Sequence, residues 1–223
     1  MVANGQGTER ADFLKKGIRL QYLTIGLNLL GALVAGVTGI ATGSVALITF
    51  GLDSIIGPVL TSMMLLRLRS ELRGQEGKET YTGMERKILF AVGVSFFLLA
   101  LYSLNESGSR LYYREKPEIS VAGLILSGLL LIGMPALAFM KFRIVRGLES
   151  RILRIDAWVT AVYAYLALVL FLGLGLNAWF GWWWVDTVSA LLMLPLIVRE
   201  GWEAVEVSKK GTHYESRTTR TGT

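Results

Sequence analysis

The stretch VALITFGLDSIIGPVLTSMMLL, residues 45–66, decides the fold. Its 22 residues carry one ionisable side chain, Asp53. About 20 consecutive apolar residues cross the hydrocarbon core of a bilayer. A backbone in lipid has no water to bond, so the segment reads as a transmembrane α-helix. Asp53 lies eight residues in from Val45, which is about 12 Å along a helix rising 1.5 Å per residue. In a core about 30 Å thick that is close to the midplane. An ionisable group at that depth is costly unless it faces a cavity or a partner, so the first reading of Asp53 is functional. The plain alternative is a protonated or hydrogen-bonded structural acid.

Five more apolar runs flank this one: Leu20–Thr42, Ile88–Asn105, Ile119–Met140, Ala157–Phe180 and Trp182–Val198. None alternates in polarity as a β-barrel strand does. The expected fold is therefore an all-α membrane protein of six transmembrane helices. Residues 1–17 are expected to form a cytoplasmic N-terminal segment without a cleavable signal pattern, 18–206 the transmembrane domain and 207–223 a disordered tail. Composition agrees, with 52% hydrophobic residues, 18% charged and a mean hydropathy of +0.49.

Orientation follows from the basic residues. Placing both termini in the cytoplasm puts 20 of the 23 Lys and Arg inside and leaves only Arg110, Arg114 and Lys116 outside. That is a strong positive-inside pattern, and it assigns the +6 net charge to topology and anionic lipid, not nucleic acid. Trp179, Trp182, Trp183 and Trp184 cluster at the outer meeting of the fifth and sixth spans, as an aromatic belt does. Ala35, Gly39 and Gly43 recur every four residues, a spacing that lets a neighbouring helix come close. Pro58, Pro135 and Pro195 each interrupt a span, and Asn28 reads as an interhelical hydrogen-bonding group.

Enzyme chemistry finds no support. With no cysteine and with His213 as the only histidine, out in the tail, neither a thiolate site nor a histidine triad or metal cluster can form in the membrane. Gly173 and Gly175 lie inside an apolar helix and make no nucleotide loop. The remaining candidates are acids. Asp156 stands at the cytoplasmic mouth of the fifth span, Asp186 just inside the outer end of the sixth and Glu106 at the outer end of the third. The helix dipole alone would favour Asp156 and Asp186 in first turns. It does not favour Glu106 at a C-terminus, so another group must hold it.

Four stretches, in order, resemble one family. Gly43-Ser44-Val45-Ala46-Leu47 with Gly51-Leu52-Asp53-Ser54 resembles the second helix of the cation diffusion facilitators. Gly83-Met84-Glu85-Arg86-Lys87 resembles the lead into their third helix, Ile155-Asp156-Ala157-Trp158 the start of their fifth, and Val185-Asp186-Thr187-Val188-Ser189-Ala190 that of their sixth. The resemblance covers most of residues 18–206 and implies a short member, without the family's C-terminal cytoplasmic domain. It also implies a homodimer in the cell (inner) membrane that exports a divalent cation by proton antiport, with no bound cofactor. The family's metal site takes two acidic or histidine residues a turn apart on the second helix and two on the fifth. The matching positions here are Asp53, Gly57, Val159 and Tyr163, so one ligand of four is present.

One carboxylate cannot hold Zn²⁺ tetrahedrally. Asp156, Glu106, Tyr163 or backbone carbonyls would supply further oxygens, a set suited to harder cations such as Mn²⁺ or Mg²⁺, with Zn²⁺, Fe²⁺ and Co²⁺ left open. Asp53 and Asp156 are the candidate metal ligands. Glu106, Asp186 and Tyr163 are candidates for the transport path. The alternative is a relative that keeps the fold as a non-transporting interaction or regulatory subunit.

Overall fold

A computed structural model describes residues 3–73, 83–148 and 151–210. Six long helices account for nearly all of them: α1 (Ala3–Thr42), α2 (Val45–Leu72), α3 (Gly83–Tyr113), α4 (Val121–Leu148), α5 (Arg151–Phe180) and α6 (Trp183–Lys210). No strand occurs among the described residues. Residues 207–210, the start of the expected tail, close α6 as helix; the rest of that tail, with His213, lies outside the described residues.

Among the described residues, five helices are long and apolar enough to cross a membrane: those spanning Asp12–Thr42, Val45–Ser70, Gly83–Tyr113, Val121–Arg146 and Arg154–Phe180. The sixth is the exception, because Asp186, Arg199 and Glu200 dilute its apolar run. It is nonetheless packed inside the bundle, against α3, α5 and α2. All six helices outrun the hydrocarbon, at 28 to 40 residues each.

The bundle is built of three tightly packed pairs, α1 with α2, α3 with α6 and α4 with α5. Small residues set the first pair. A Cβ on Gly39 would stand 2.8 Å from the Ile48 nitrogen, and one on Gly51 2.8 Å from the Gly36 nitrogen. Either would force the backbones apart, so this closeness exists only because the side chains are missing. Ala35 is fully buried in the same seam. Gly43, the third residue of the expected small-residue row, serves differently: its φ of +66° ends α1 in the left-handed conformation that glycine adopts without strain.

The outer surface is apolar, as a lipid-facing shell must be. Leu29, Leu33, Val37 and Ile40 of α1 and Ile125, Leu129 and Ile132 of α4 are all exposed. At the α5–α6 turn the indoles of Trp182 and Trp184 stack at 5.9 Å, beside the exposed Trp179. The interior is mixed: Phe50, Phe96, Leu130, Leu170 and Met193 are buried alongside Asp53, Asp156, Asp186 and Lys141.

Candidate functional site

Asp53 is the centre of the polar interior. It sits in the third turn of α2 with 1% of its surface exposed, and neither carboxylate oxygen has a hydrogen-bond partner. The hydroxyl of Ser54 beside it is likewise unpartnered. One turn on, Pro58 interrupts the helix. Proline has no N–H, so the carbonyl of Ser54 loses its ordinary helical donor. Three kinds of oxygen thus collect on one turn of α2 without the bonds that would normally satisfy them.

Gly57 and Tyr163, two of the positions at which the resemblance calls for ligands, fit each other. A Cβ built on Gly57 would lie 1.7 Å from the Tyr163 hydroxyl oxygen. The phenol of α5, itself 1% exposed, therefore occupies the volume that a side chain at position 57 would fill. An acid at Gly57 finds no room while Tyr163 is in place. Val159, the fourth matching position, is a partly buried apolar residue packed on the core.

One participant was not legible as a site residue. Glu200 falls on the inward stripe of α6, in phase with the buried Asp186, Ala190, Met193, Ile197 and Ala204. Its Oε1 is enclosed and has no hydrogen-bond partner. Asp53 and Glu200 both lie within electrostatic reach of the Tyr163 phenol. The three or four residue spacing of that stripe was the available signal; the apolar run ends at Val198, which left Glu200 outside the expected span. Among the described residues, no three His, Cys, Asp or Glu side chains cluster closely enough to hold a metal ion by themselves.

The other candidate acids are engaged elsewhere. Asp156 pairs with Lys141 at 2.8 Å, both side chains being almost wholly buried. The ammonium also donates to Gln21 Oε1 at 3.0 Å and to Thr160 Oγ1 at 2.8 Å, so one buried cluster ties α1, α4 and α5. The sequence pattern places Lys141 in a cytoplasmic loop, but α4 continues past it and turns it inward. Asp156 precedes Tyr163 by seven residues, about 10 Å along α5, and stands apart from the Asp53 turn. Breaking a buried pair from one side leaves an uncompensated charge, at a cost of about 3–5 kcal/mol. Lys141→Met is therefore expected to lower the melting temperature sharply, and Lys141→Met with Asp156→Leu to recover most of it. Equal melting of the single variant and wild type would refute the assignment.

Asp186 caps α2. The Ser44 hydroxyl donates to its Oδ1, and the Val45 N–H donates to Oδ2 at 2.9 Å. Ser44 Oγ also accepts from the Leu47 N–H at 3.1 Å, so the first turn of α2 is satisfied jointly by Ser44 and an acid from α6. Glu106 is held by Arg110 one turn along α3, Nε to Oε1 at 2.8 Å. The same guanidinium donates to the Gly43 carbonyl at the end of α1. Helix α3 runs on to Tyr113, which is why Glu106 has this partner and is not left at a helix end.

The fold and its interior define an integral, multi-pass membrane protein. The profile of the cation efflux transmembrane domain matches residues 22–209. Comparison with curated protein sequences returns no match. The chain belongs to the cation efflux family, whose members are cation transporters, not enzymes.

Proposed function

We propose that this protein exports a divalent cation in exchange for protons, as a homodimer with both termini in the cytoplasm, and that Asp53 is the central ligand. The observation that carries the reading is the Asp53 carboxyl group, 1% exposed with both oxygens unpartnered. An ionised carboxylate without partners in an apolar interior costs several kcal/mol. Either a proton or a cation must neutralise it, and alternation between the two is the chemistry of an antiporter. The donors around it are oxygens, with no thiolate or imidazole, which favours harder cations such as Mn²⁺ over the usual Zn²⁺ of four tight ligands. The non-transporting alternative does not account for an unsatisfied acid at this depth.

Reconstituted vesicles with an imposed proton gradient test the proposal. Uptake or release of Mn²⁺, Zn²⁺, Fe²⁺, Co²⁺ or Mg²⁺ that stops when the gradient is collapsed is the expected result. A protein that moves none of the five is no carrier of this kind. Orientation is tested separately: tags at either end should be reached only after permeabilisation, and one in the loop at Glu115–Glu118 without it. The reverse pattern would overturn the assigned topology.

A further inference from the structure

We propose that Glu200 of α6 is the second anionic ligand of the transported cation, so that Asp53 and Glu200 together set the site's preference for divalent over monovalent ions. The inference rests on the carrier reading above and adds to it a residue from a helix that the family's usual ligand positions do not use.

Four observations carry it. Asp53 is nine-tenths buried and more, with both oxygens unpartnered, on α2, a helix that packs against α5 and α6. Glu200 presents an enclosed, unpartnered oxygen from the inward stripe of α6. The hydroxyl of Tyr163 fills the place of a side chain at Gly57, and so brings a neutral oxygen from α5 to α2. Among the described residues, the cation whose charge acts on Glu200 is Arg199, whose Nε is held by the exposed Glu203 at 2.7 Å. Helix α3 has no charged residue between Ile88 and Asn105.

Charge decides what such a site prefers. A divalent ion against one carboxylate keeps a net positive charge in an apolar interior, where uncompensated charge is heavily penalised. Against two carboxylates it is neutral. A monovalent ion is neutral against one carboxylate and leaves a net negative charge against two. The second carboxylate thus favours divalent cargo twice over, by binding it and by disfavouring Na⁺ and K⁺. Phenol, backbone carbonyl and water oxygens complete the shell without altering this balance.

The test uses the full-length protein in lipid nanodiscs, titrated separately with Mn²⁺ and Zn²⁺ and then with Mn²⁺ in competition with Na⁺ and K⁺. Glu200→Gln is expected to weaken Mn²⁺ binding by about tenfold or more, the lower end of what losing support for a metal ligand costs. It should also make that binding measurably sensitive to monovalent salt. Glu200→Asp, which keeps the charge, should retain resistance to Na⁺ and K⁺ even if its affinity drops. Glu203→Gln, on the exposed side, should change neither. Unaltered Mn²⁺ affinity and salt competition in Glu200→Gln, with wild type binding normally, would overturn the inference while leaving the carrier reading intact. Loss of affinity without a change in monovalent competition would also overturn it, since that is the signature of a merely structural residue. Absence of binding in wild type would sink the carrier reading and the inference together.

Discussion

Asp53→Asn is expected to reduce proton-driven cation flux by more than about 100-fold while the protein still assembles in the membrane. Loss of a partner that merely supports a metal ligand costs about 10–100-fold, and removal of a charged ligand should exceed that range. The amide keeps the size of the side chain and one acceptor oxygen, but it has no negative charge and no exchangeable acid proton. Neither carboxylate oxygen is used in a hydrogen bond, so the fold loses no partner by the change. A structural acid would behave in the opposite way. It would tolerate the amide, and could gain from it, because the cost of ionising a buried group is gone. Flux of Mn²⁺, Zn²⁺, Fe²⁺, Co²⁺ and Mg²⁺ in paired vesicle preparations separates the two cases, and equal flux in variant and wild type would refute the role given to Asp53.

Gly57→Ala should be strongly destabilising. The added carbon would lie 1.7 Å from the Tyr163 hydroxyl and 2.9 Å from its Cζ. A fully buried phenol cannot swing aside without displacing its neighbours. Overpacking of this kind costs about 1–3 kcal/mol and sometimes more, and the depth of this overlap puts the expected loss at or above about 3 kcal/mol. Combining Gly57→Ala with Tyr163→Leu should return most of the stability, because the two positions share one volume and are strongly non-additive. Thermal melting of the two single variants and the pair measures this. Additive losses would mean that Tyr163 does not occupy the space beside Gly57.

The number and order of the helices were legible because lipid demands apolar runs of a minimum length, and Val45–Leu66 announces one plainly. The ends were harder, since helices continue past the hydrocarbon and no rule of hydropathy says how far. Lys141 shows the consequence: counted among loop cations, it is buried within α4 and paired with Asp156. Glu200 was missed for the same reason, lying two residues beyond the apolar run of α6. Asp53 was readable from depth alone. The complementarity of Gly57 and Tyr163 was not, because it exists only once α2 and α5 are side by side. In sequence it resembles the loss of two ligands; in space it is one side chain taking the room of another. The partners of Asp186 and Glu106 were also beyond reach, the first lying 142 residues away and the second depending on α3 extending to Arg110.

The three helix pairs give the interior one more property. Asp53 belongs to the α1–α2 pair, Tyr163 to α4–α5 and Glu200 to α3–α6. Each pair is packed along its own seam, and in the site proposed above each lends one oxygen-bearing side chain to the shared centre. A cation bound as proposed would be a keystone among the three pairs, which are also tied to one another by Asp186 to Ser44 and Val45, Arg110 to Gly43, and Lys141 to Gln21. Sliding one pair past another by the length of a bond to the ion would scatter the donors, and it would also work against these ties. For the proposed carrier, the grip on the ion would then read out how the pairs are aligned.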